Sequence, residues 1–134
     1  TPSNQIIHPA RMYGLYHADF AEDDYANGKT YDRVPYFYRD IDQFSADVMQ
    51  HQSDEIQAIR HAIEKLKPDV NLSEVMDLGE RIVKMYGKEV ADTSSLQKIM
   101  STNDGWLNHT VPMHVVKNAD GPDTYRPDFT TRYM

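Results

Sequence analysis

The stretch DIDQFSADVMQHQSDEIQAIRHAIEKLKP, residues 40–68, decides the fold. Its large apolar residues follow at steps of three or four, apart from one gap at Gln52, as on one face of an α-helix. They are Ile41, Phe44, Val48, Ile56, Ile59, Ile63 and Leu66. Asp40 or Asp42 can cap this helix, and Pro68 ends it. The sequence therefore predicts a spine helix of about 26 residues, roughly 39 Å long.

Two shorter helices are predicted after the spine. The first runs from Asn71 or Ser73 to Tyr86, with Gly87 as a natural C-cap. Its expected buried stripe consists of Val75, Leu78 or Gly79, Ile82 and Tyr86. The second spans about Ser94 to Thr102. Its apolar residues are Leu96, Ile99 and Met100.

The segment from Ser3 to about Tyr16, which precedes the spine, contains one more predicted helix. Because proline fits the first turn of a helix but not its interior, Pro9 places the N-terminus of this helix at or beside His8. Gly14 would let another backbone come close. Residues 17–35, which contain an Asn-Gly turn signal, predict a long loop.

Glycine and proline interrupt the C-terminal third, at Gly105, Pro112, Gly121, Pro122 and Pro127. Residues 113–116 are the one candidate strand there. The chain has 134 residues, which is the size of one ordinary domain with a single core. The prediction is an all-α domain covering residues 1–134, with one long spine helix and a loop-rich C-terminal third.

Composition excludes several classes of protein. A net charge of −7 with scattered basic residues argues against a nucleic-acid partner, because phosphate binding needs clustered lysine and arginine. The absence of cysteine excludes disulfides and thiolate chemistry. Apolar runs are too short to span a membrane, and the N-terminus has no signal-peptide pattern. We expect a soluble, cytoplasmic protein that binds no membrane.

Metal and nucleotide sites are not predicted within this chain. The six histidines show no i, i+4 pair with an intervening glutamate, and only His109 and His114, around Pro112, hint at a metal. The six glycines are isolated, so no glycine-rich phosphate-binding turn is formed. From these residues alone, the sequence indicates a helical domain and no specific reaction.

Two local features suggest chemistry. In Asn4-Gln5-Ile6-Ile7-His8-Pro9-Ala10, a helix N-terminus would bias the imidazole of His8 toward its neutral form, although a histidine that only caps the helix is the alternative. In the segment 126–134, an arginine could clamp a carboxylate with its planar fork. The alternative there is a local ion pair with Asp123 or Asp128.

Taken in order, several segments resemble the C-terminal domain of octopine and related opine dehydrogenases. They are Ile7-His8-Pro9-Ala10, Phe37-Tyr38-Arg39-Asp40-Ile41-Asp42, Leu72-Ser73-Glu74-Val75, Leu107-Asn108-His109-Thr110-Val111-Pro112 and Pro127-Asp128-Phe129-Thr130-Thr131-Arg132-Tyr133-Met134. The resemblance covers essentially the whole chain. It rests on the order in which these segments occur, and not on any one of them.

The resemblance implies the reductive condensation of a 2-oxo acid, usually pyruvate, with an amino acid, using NADH or NADPH. It also implies a cleft between this domain and an N-terminal Rossmann domain, absent from this chain, that binds most of the cofactor. Carried over by motif, His8 would be the catalytic acid/base, Arg132 would bind a substrate carboxylate, and Asn4 is a weaker candidate for binding substrate. Both chain ends then look like cuts, and the fragment alone is expected to be inactive.

Two other functions stay open on the sequence. One is a non-catalytic helical interaction module that uses the tyrosine-rich region 13–38 as its contact surface. The other is a related dehydrogenase that acts on a 2-hydroxy or 2-oxo acid without an amine. The sequence does not indicate which amino acid, which nicotinamide cofactor or which oligomeric state the protein uses.

Overall fold

Four helices and one β-hairpin form the part of the chain that the computed structural model describes, residues 2–21, 30–106 and 108–128. The helices are α1 (Pro2–Ala21), α2 (Gln43–Leu66), α3 (Leu78–Tyr86) and α4 (Leu96–Ser101), and the strands are β1 (Met113–Val116) and β2 (Thr124–Pro127). Short 3₁₀ turns occupy Gly87–Glu89 and Asp104–Trp106. The helical class is therefore confirmed.

The spine helix α2 is confirmed at both ends. Asp42 occupies the N-cap position and the helix ends at Leu66, before Pro68. The predicted apolar stripe is only partly buried: Val48 and Ile56 are half-buried, Phe44 is 41% exposed, and the fully buried residues of α2 lie in its first half. They are Ser45, Ala46, Met49 and Ser53. Ile59 and Leu66 are 60% and 78% exposed, while another side of this half of α2 meets the segment before α3, where Arg60 donates to the Val75 carbonyl at 2.8 Å.

The predicted start of the first helix is wrong. α1 begins at Pro2 and passes through Pro9, so His8 lies inside the helix and not at its N-terminus. Interior proline costs about 3 kcal/mol because it removes a backbone donor and crowds the preceding turn. The carbonyl that loses its partner belongs to Gln5, which is exposed, so water can satisfy it. Burial of neighbouring apolar residues holds the helix together around this point. They are Ile6, Ile7 and Ala10.

Small residues bring α1 and α2 together. A Cβ added to Gly14 would lie 1.8 Å from the Ser45 Oγ, so the two helices meet at a distance that only glycine permits. The close approach predicted for Gly14 is thus confirmed. α1 continues to Ala21, so the loop predicted to start at residue 17 starts later, and its residues 22–29 lie outside the described ones.

The third helix starts later than predicted, at Leu78. Residues 71–76 are irregular apart from a turn at 73–74, and the Asn71 side chain accepts a hydrogen bond from the Ser73 amide at 3.0 Å, which competes with helix formation. Asp77 is the N-cap and accepts from the amides of the first turn. The C-cap at Gly87, with φ 48°, is confirmed. α4 is also confirmed, one or two residues shorter at its N-terminus than expected, and is capped by Ser95.

A second strand corrects the description of the C-terminal third as loop. β1 coincides with the predicted strand 113–116, and β2 pairs with it antiparallel, from Met113 opposite Pro127 to Val116 opposite Thr124. The hairpin also bonds to the segment that precedes α2, because Tyr31 and Tyr125 exchange backbone hydrogen bonds of 2.9 and 2.8 Å. These bonds attach the C-terminal third to the segment before α2, which also faces α1.

Candidate functional site

His8 lies half-buried on α1 and faces the turn formed by residues 37–40. Its Nε2 atom is 3.3 Å from the Tyr38 hydroxyl oxygen. The Phe37 ring meets the imidazole edge-on, with ring centroids 5.5 Å apart and an interplanar angle of 86°. The ring is therefore held on one side by a polar contact and on another by packing.

Tyr38 belongs to a group of rings that we call the aromatic cluster, made of Phe37, Tyr38, Tyr86 and Trp106. Tyr38 stacks on Trp106 with centroids 4.5 Å apart and planes at 29°, and Trp106 meets Tyr86 edge-on at 5.1 Å. His109 lies beside the cluster, its ring centroid 6.2 Å from that of Tyr38. His8 thus borders a rigid aromatic surface, with a second histidine nearby.

The surroundings of His8 lower its pKa. Burial is the main cause, because it disfavours the charged imidazolium, and repulsion from His109 acts in the same direction. The bias toward a neutral ring agrees with the sequence-based prediction, but its cause differs, since no helix N-terminus lies at His8. The neutral imidazole is therefore favoured over the imidazolium more strongly here than in a solvent-exposed histidine.

Arg11 fixes the turn that faces His8, and sequence reasoning missed it. The residue is 2% exposed. Its Nε donates to the Phe37 carbonyl at 2.8 Å, Nη2 donates to the Asp40 carbonyl at 3.2 Å, and Nη1 donates to the Asp42 carboxylate at 3.2 Å. Position 11 follows Ile7 by four residues, so it falls on the buried face of α1. A charged residue at such a position is the signal that could have identified it.

Asp40 closes the same turn from its outer side. Its carboxylate accepts from both Nη atoms of Arg33, at 2.7 and 2.9 Å, and from the Tyr36 amide at 2.7 Å. The bond from Arg33 is the largest cause of a lowered Asp40 pKa, because it stabilises the ionised carboxylate. With Arg11 inside and Arg33 outside, the turn presents Phe37 and Tyr38 to α1 in a fixed geometry.

The other predicted site residues are placed as follows. Asn4 is exposed on α1, one helical turn before His8, so both side chains lie on one face of the helix. Arg132 lies outside the described residues. Arg126 lies on β2, opposite His114, and Asp123 pairs with Lys117. The structure therefore brings Asn4 and His8 together and leaves the place of Arg132 untested.

A concavity of about 600 Å³ lies on the other side of Arg11, between α1 and the segment 31–42. Its charged residues include Arg11, Arg33, Asp40 and Asp42, which are already paired with one another. His8 does not line it. The His8 face, where burial lowers the pKa of the imidazole, is therefore the candidate site.

The described ranges of the chain contain neither a membrane-spanning helix nor a group of metal ligands. None of the helices there is both long and apolar enough to cross a membrane. In the same ranges, no three histidine, aspartate or glutamate side chains come together as metal ligands. His109 and His114 accordingly form no such group with other described residues.

The fold and this site place the chain in a known family of enzymes. Residues 1–134 match the model of the NAD/NADP octopine/nopaline dehydrogenase family, alpha-helical domain, and the chain belongs to that family. It is 34% identical over 131 residues to the tauropine dehydrogenase of Arabella iricolor and 31% identical over 132 residues to the octopine dehydrogenase of Mizuhopecten yessoensis. These matches cover 98% of this chain but 30% of each relative, so the chain spans less than a third of their length.

Solved structures give the same result. An octopine dehydrogenase with NADH and L-arginine matches 94% of this chain and 28% of its own, with a TM-score of 0.73 and 28% identity. A second octopine dehydrogenase structure, with NADH and agmatine, has a TM-score of 0.70 and 27% identity. These matches confirm the resemblance drawn from the sequence. They also confirm the predicted fold, which is the helical domain of a larger dehydrogenase.

Proposed function

We propose that this chain is the substrate half of an opine dehydrogenase, which condenses a 2-oxo acid such as pyruvate with an amino acid and reduces the product. The relatives are tauropine, octopine and opine dehydrogenases, and the two solved structures are octopine dehydrogenases with NADH. The observation that carries the proposal for this chain is the half-buried His8, held by Tyr38 and with a lowered pKa. Because the reaction consumes a reduced nicotinamide, we also propose a cytoplasmic location.

The nicotinamide cofactor does not fit the residues of this chain by itself. Binding of its phosphates at a helix N-terminus needs a glycine-rich turn whose amides are open to the ligand. The six glycines of the sequence are isolated from one another, and at the start of α3 the Gly79 amide already donates to the Asp77 carboxylate at 2.9 Å. NAD(H) or NADP(H), which would supply the hydride, is therefore proposed to bind mainly to an N-terminal Rossmann domain outside this chain.

His8 is proposed to act as the acid/base. As the amine adds to the 2-oxo acid, the protonated ring gives its proton to the carbonyl oxygen, and the neutral ring accepts a proton in the reverse reaction. A lowered pKa makes the imidazolium a stronger acid, so it releases this proton more readily. The aromatic cluster beside it would limit the access of water to the reacting carbonyl.

Two residues are proposed to hold the substrates. Arg132 would bind the carboxylate of the 2-oxo acid, since its guanidinium can donate to both oxygens. Asn4 lies one turn from His8 on the same face of α1, where its amide can donate to or accept from a substrate polar group. The specificity for the amino acid would be shared with the other domain.

The test is the replacement His8→Ala in the full-length protein. We expect turnover to fall roughly 10²- to 10⁴-fold, the usual loss when a general acid/base is removed. His61→Ala, which removes an exposed histidine from α2, is the control and is expected to keep wild-type turnover. A His8→Ala variant that keeps more than about a tenth of wild-type turnover excludes His8 as that group.

A further inference from the structure

The hydroxyl of Tyr38 lies beside the imidazole of His8. Its oxygen is 3.3 Å from Nε2, whereas a hydrogen bond between nitrogen and oxygen is most often about 2.9–3.0 Å long. The contact is therefore weak, and a better acceptor can replace it. Because a hydroxyl both donates and accepts, the Tyr38 hydroxyl can turn its hydrogen toward such an acceptor.

Packing fixes the position of this hydroxyl. The Tyr38 ring stacks on Trp106, with centroids 4.5 Å apart, and meets the Phe37 ring edge-on at 4.9 Å. The Tyr38 carbonyl accepts from the Ile41 amide at 3.2 Å. The preceding carbonyl, of Phe37, accepts from the buried Arg11 at 2.8 Å. A donor that is fixed in advance need not be ordered during the reaction, which is what makes such donors effective in catalysis.

The proposed reaction needs hydrogen-bond donors at one substrate atom in particular. When an amine adds to a 2-oxo acid, a C–N bond forms and the π electrons of the C=O bond move onto the oxo oxygen, where negative charge develops. An oxygen atom can lie within about 2.7–3.2 Å of two donors that are 3.3 Å apart, so it can contact both His8 Nε2 and the Tyr38 hydroxyl. Two fixed donors directed at one oxygen stabilise such a charge.

Resting on the proposed function, we propose that Tyr38 is a second catalytic residue, whose hydroxyl donates a hydrogen bond to the oxo oxygen of the 2-oxo acid. As the amine adds, the Nε2–H bond of the His8 imidazolium breaks and an O–H bond forms on that oxygen. The amine nitrogen then carries the positive charge that the imidazolium has given up. The O–H bond of Tyr38 stays intact, so Tyr38 stabilises the developing charge without losing its proton.

The kinetic test is Tyr38→Phe in the full-length protein, which keeps the ring on Trp106 and removes only the hydroxyl. We expect kcat to fall roughly a hundredfold, the usual loss when one donor to a developing oxyanion is removed, with little change in the KM for the amine. Tyr13→Phe is the control, because it removes a hydroxyl from the helix that carries His8, at a ring that contacts Phe44. It is expected to keep the wild-type kcat. A wild-type kcat in Tyr38→Phe would overturn the inference.

Inhibitor binding separates a direct contact with the substrate from an effect transmitted through His8. Oxamate and propionate are both carboxylates of about the size of pyruvate, but only oxamate has an oxygen at the position of the oxo group. We expect Tyr38→Phe to raise the inhibition constant of oxamate about three- to tenfold, as for the loss of one neutral hydrogen bond, and to leave that of propionate unchanged. A residue that only supports the fold would change both constants or neither, and either result would overturn the inference.

Failure of this inference is distinguishable from failure of the proposed function. If His8→Ala loses turnover while Tyr38→Phe keeps the wild-type kcat and the wild-type inhibition constant for oxamate, this inference fails alone. If His8→Ala keeps its turnover, the proposed acid/base role of His8 fails, whatever Tyr38→Phe shows.

Discussion

Replacement of Arg11 by methionine tests how the site is supported. Methionine keeps most of the length and apolar surface of the side chain, so the packing of α1 is largely preserved. The change removes every donor that Arg11 directs at the turn before α2. The residue is 2% exposed, so water cannot replace the lost donors without opening the core.

The expected loss of unfolding free energy follows from the polar groups that the substitution leaves without a partner. The Phe37 carbonyl at 2.8 Å and the Asp40 carbonyl at 3.2 Å lose their partner, and each buried group left unsatisfied costs about 1–3 kcal/mol. The Asp42 carboxylate also loses its cation, but it is 46% exposed and can be hydrated, so it adds little. We expect Arg11→Met to lower the free energy of unfolding by about 2–6 kcal/mol, which is the cost of leaving these two carbonyl groups unsatisfied.

The assay is urea unfolding followed by fluorescence, because the chain has a single tryptophan, Trp106, within the aromatic cluster. Arg33→Met is the matched control: it removes an ion pair to Asp40 from the outer side of the same turn, where Arg33 is 64% exposed. Its effect should be much smaller, as for exposed pairs in general. Equal losses in the two variants, or no loss in Arg11→Met, would refute the role given to Arg11.

Four further outcomes are expected. Gly14→Ala should destabilise the fold by about 1–3 kcal/mol through overpacking against Ser45, whereas Gly121→Ala, whose Cβ would meet nothing within 4 Å, should not, as thermal melts can show. Asp77→Ala should remove about 0.5–2 kcal/mol of helix capping. Burial raises the pKa of Asp77, but its hydrogen bonds together lower it below the ordinary value, so urea titrations should show this contribution intact above about pH 4 and lost as the pH falls through the folded pKa. Arg132→Ala should raise the KM for the oxo acid about ten- to a hundredfold, and Arg132→Lys should restore it only in part; a change confined to the amine or nucleotide KM would count against this role. The isolated chain should show no saturable binding of NADH or NADPH by calorimetry.

Local signals predicted much of the helical framework. The period of the apolar residues, together with Asp42 and Pro68, gave both ends of α2, because capping and proline act through neighbouring residues alone. Gly87 gave the end of α3 in the same way. Gly14 was correctly expected to allow close approach, although the sequence could not show that Ser45 would be the partner.

The errors arose where distant contacts outweigh local preference. Pro9 locally favours the start of a helix, but the buried residues on either side of it hold α1 together through the proline. The apolar period continues to Leu66, although Ile59, Ile63 and Leu66 are exposed, since periodicity identifies one face of a helix and not what packs against it. β2 was missed because four residues ending in proline carry little strand signal without their partner β1.

Only part of the site could be predicted, because several of its contacts also join residues that are far apart in the sequence. The local sequence indicated the segment that holds Asn4 and His8, the resemblance gave the two residues their expected roles, and the structure places them one helical turn apart. Tyr38 and His109 reach His8 only because the chain folds back over α1, at separations that no local pattern encodes. The clamp by Arg11 likewise depends on carbonyl groups about 25–30 residues further along the chain.

The most direct test of the central claim is the dependence of NADH oxidation on an amine in the full-length protein. Pyruvate would be supplied alone and then with amino acids including arginine and taurine, and the product identified by mass spectrometry. The account predicts that NADH is consumed only when the oxo acid and an amine are both present, that the product contains a new bond between the amine nitrogen and the oxo-acid carbon, and that His8→Ala abolishes its formation. Equal NADH oxidation with pyruvate alone, giving a 2-hydroxy acid, would contradict it.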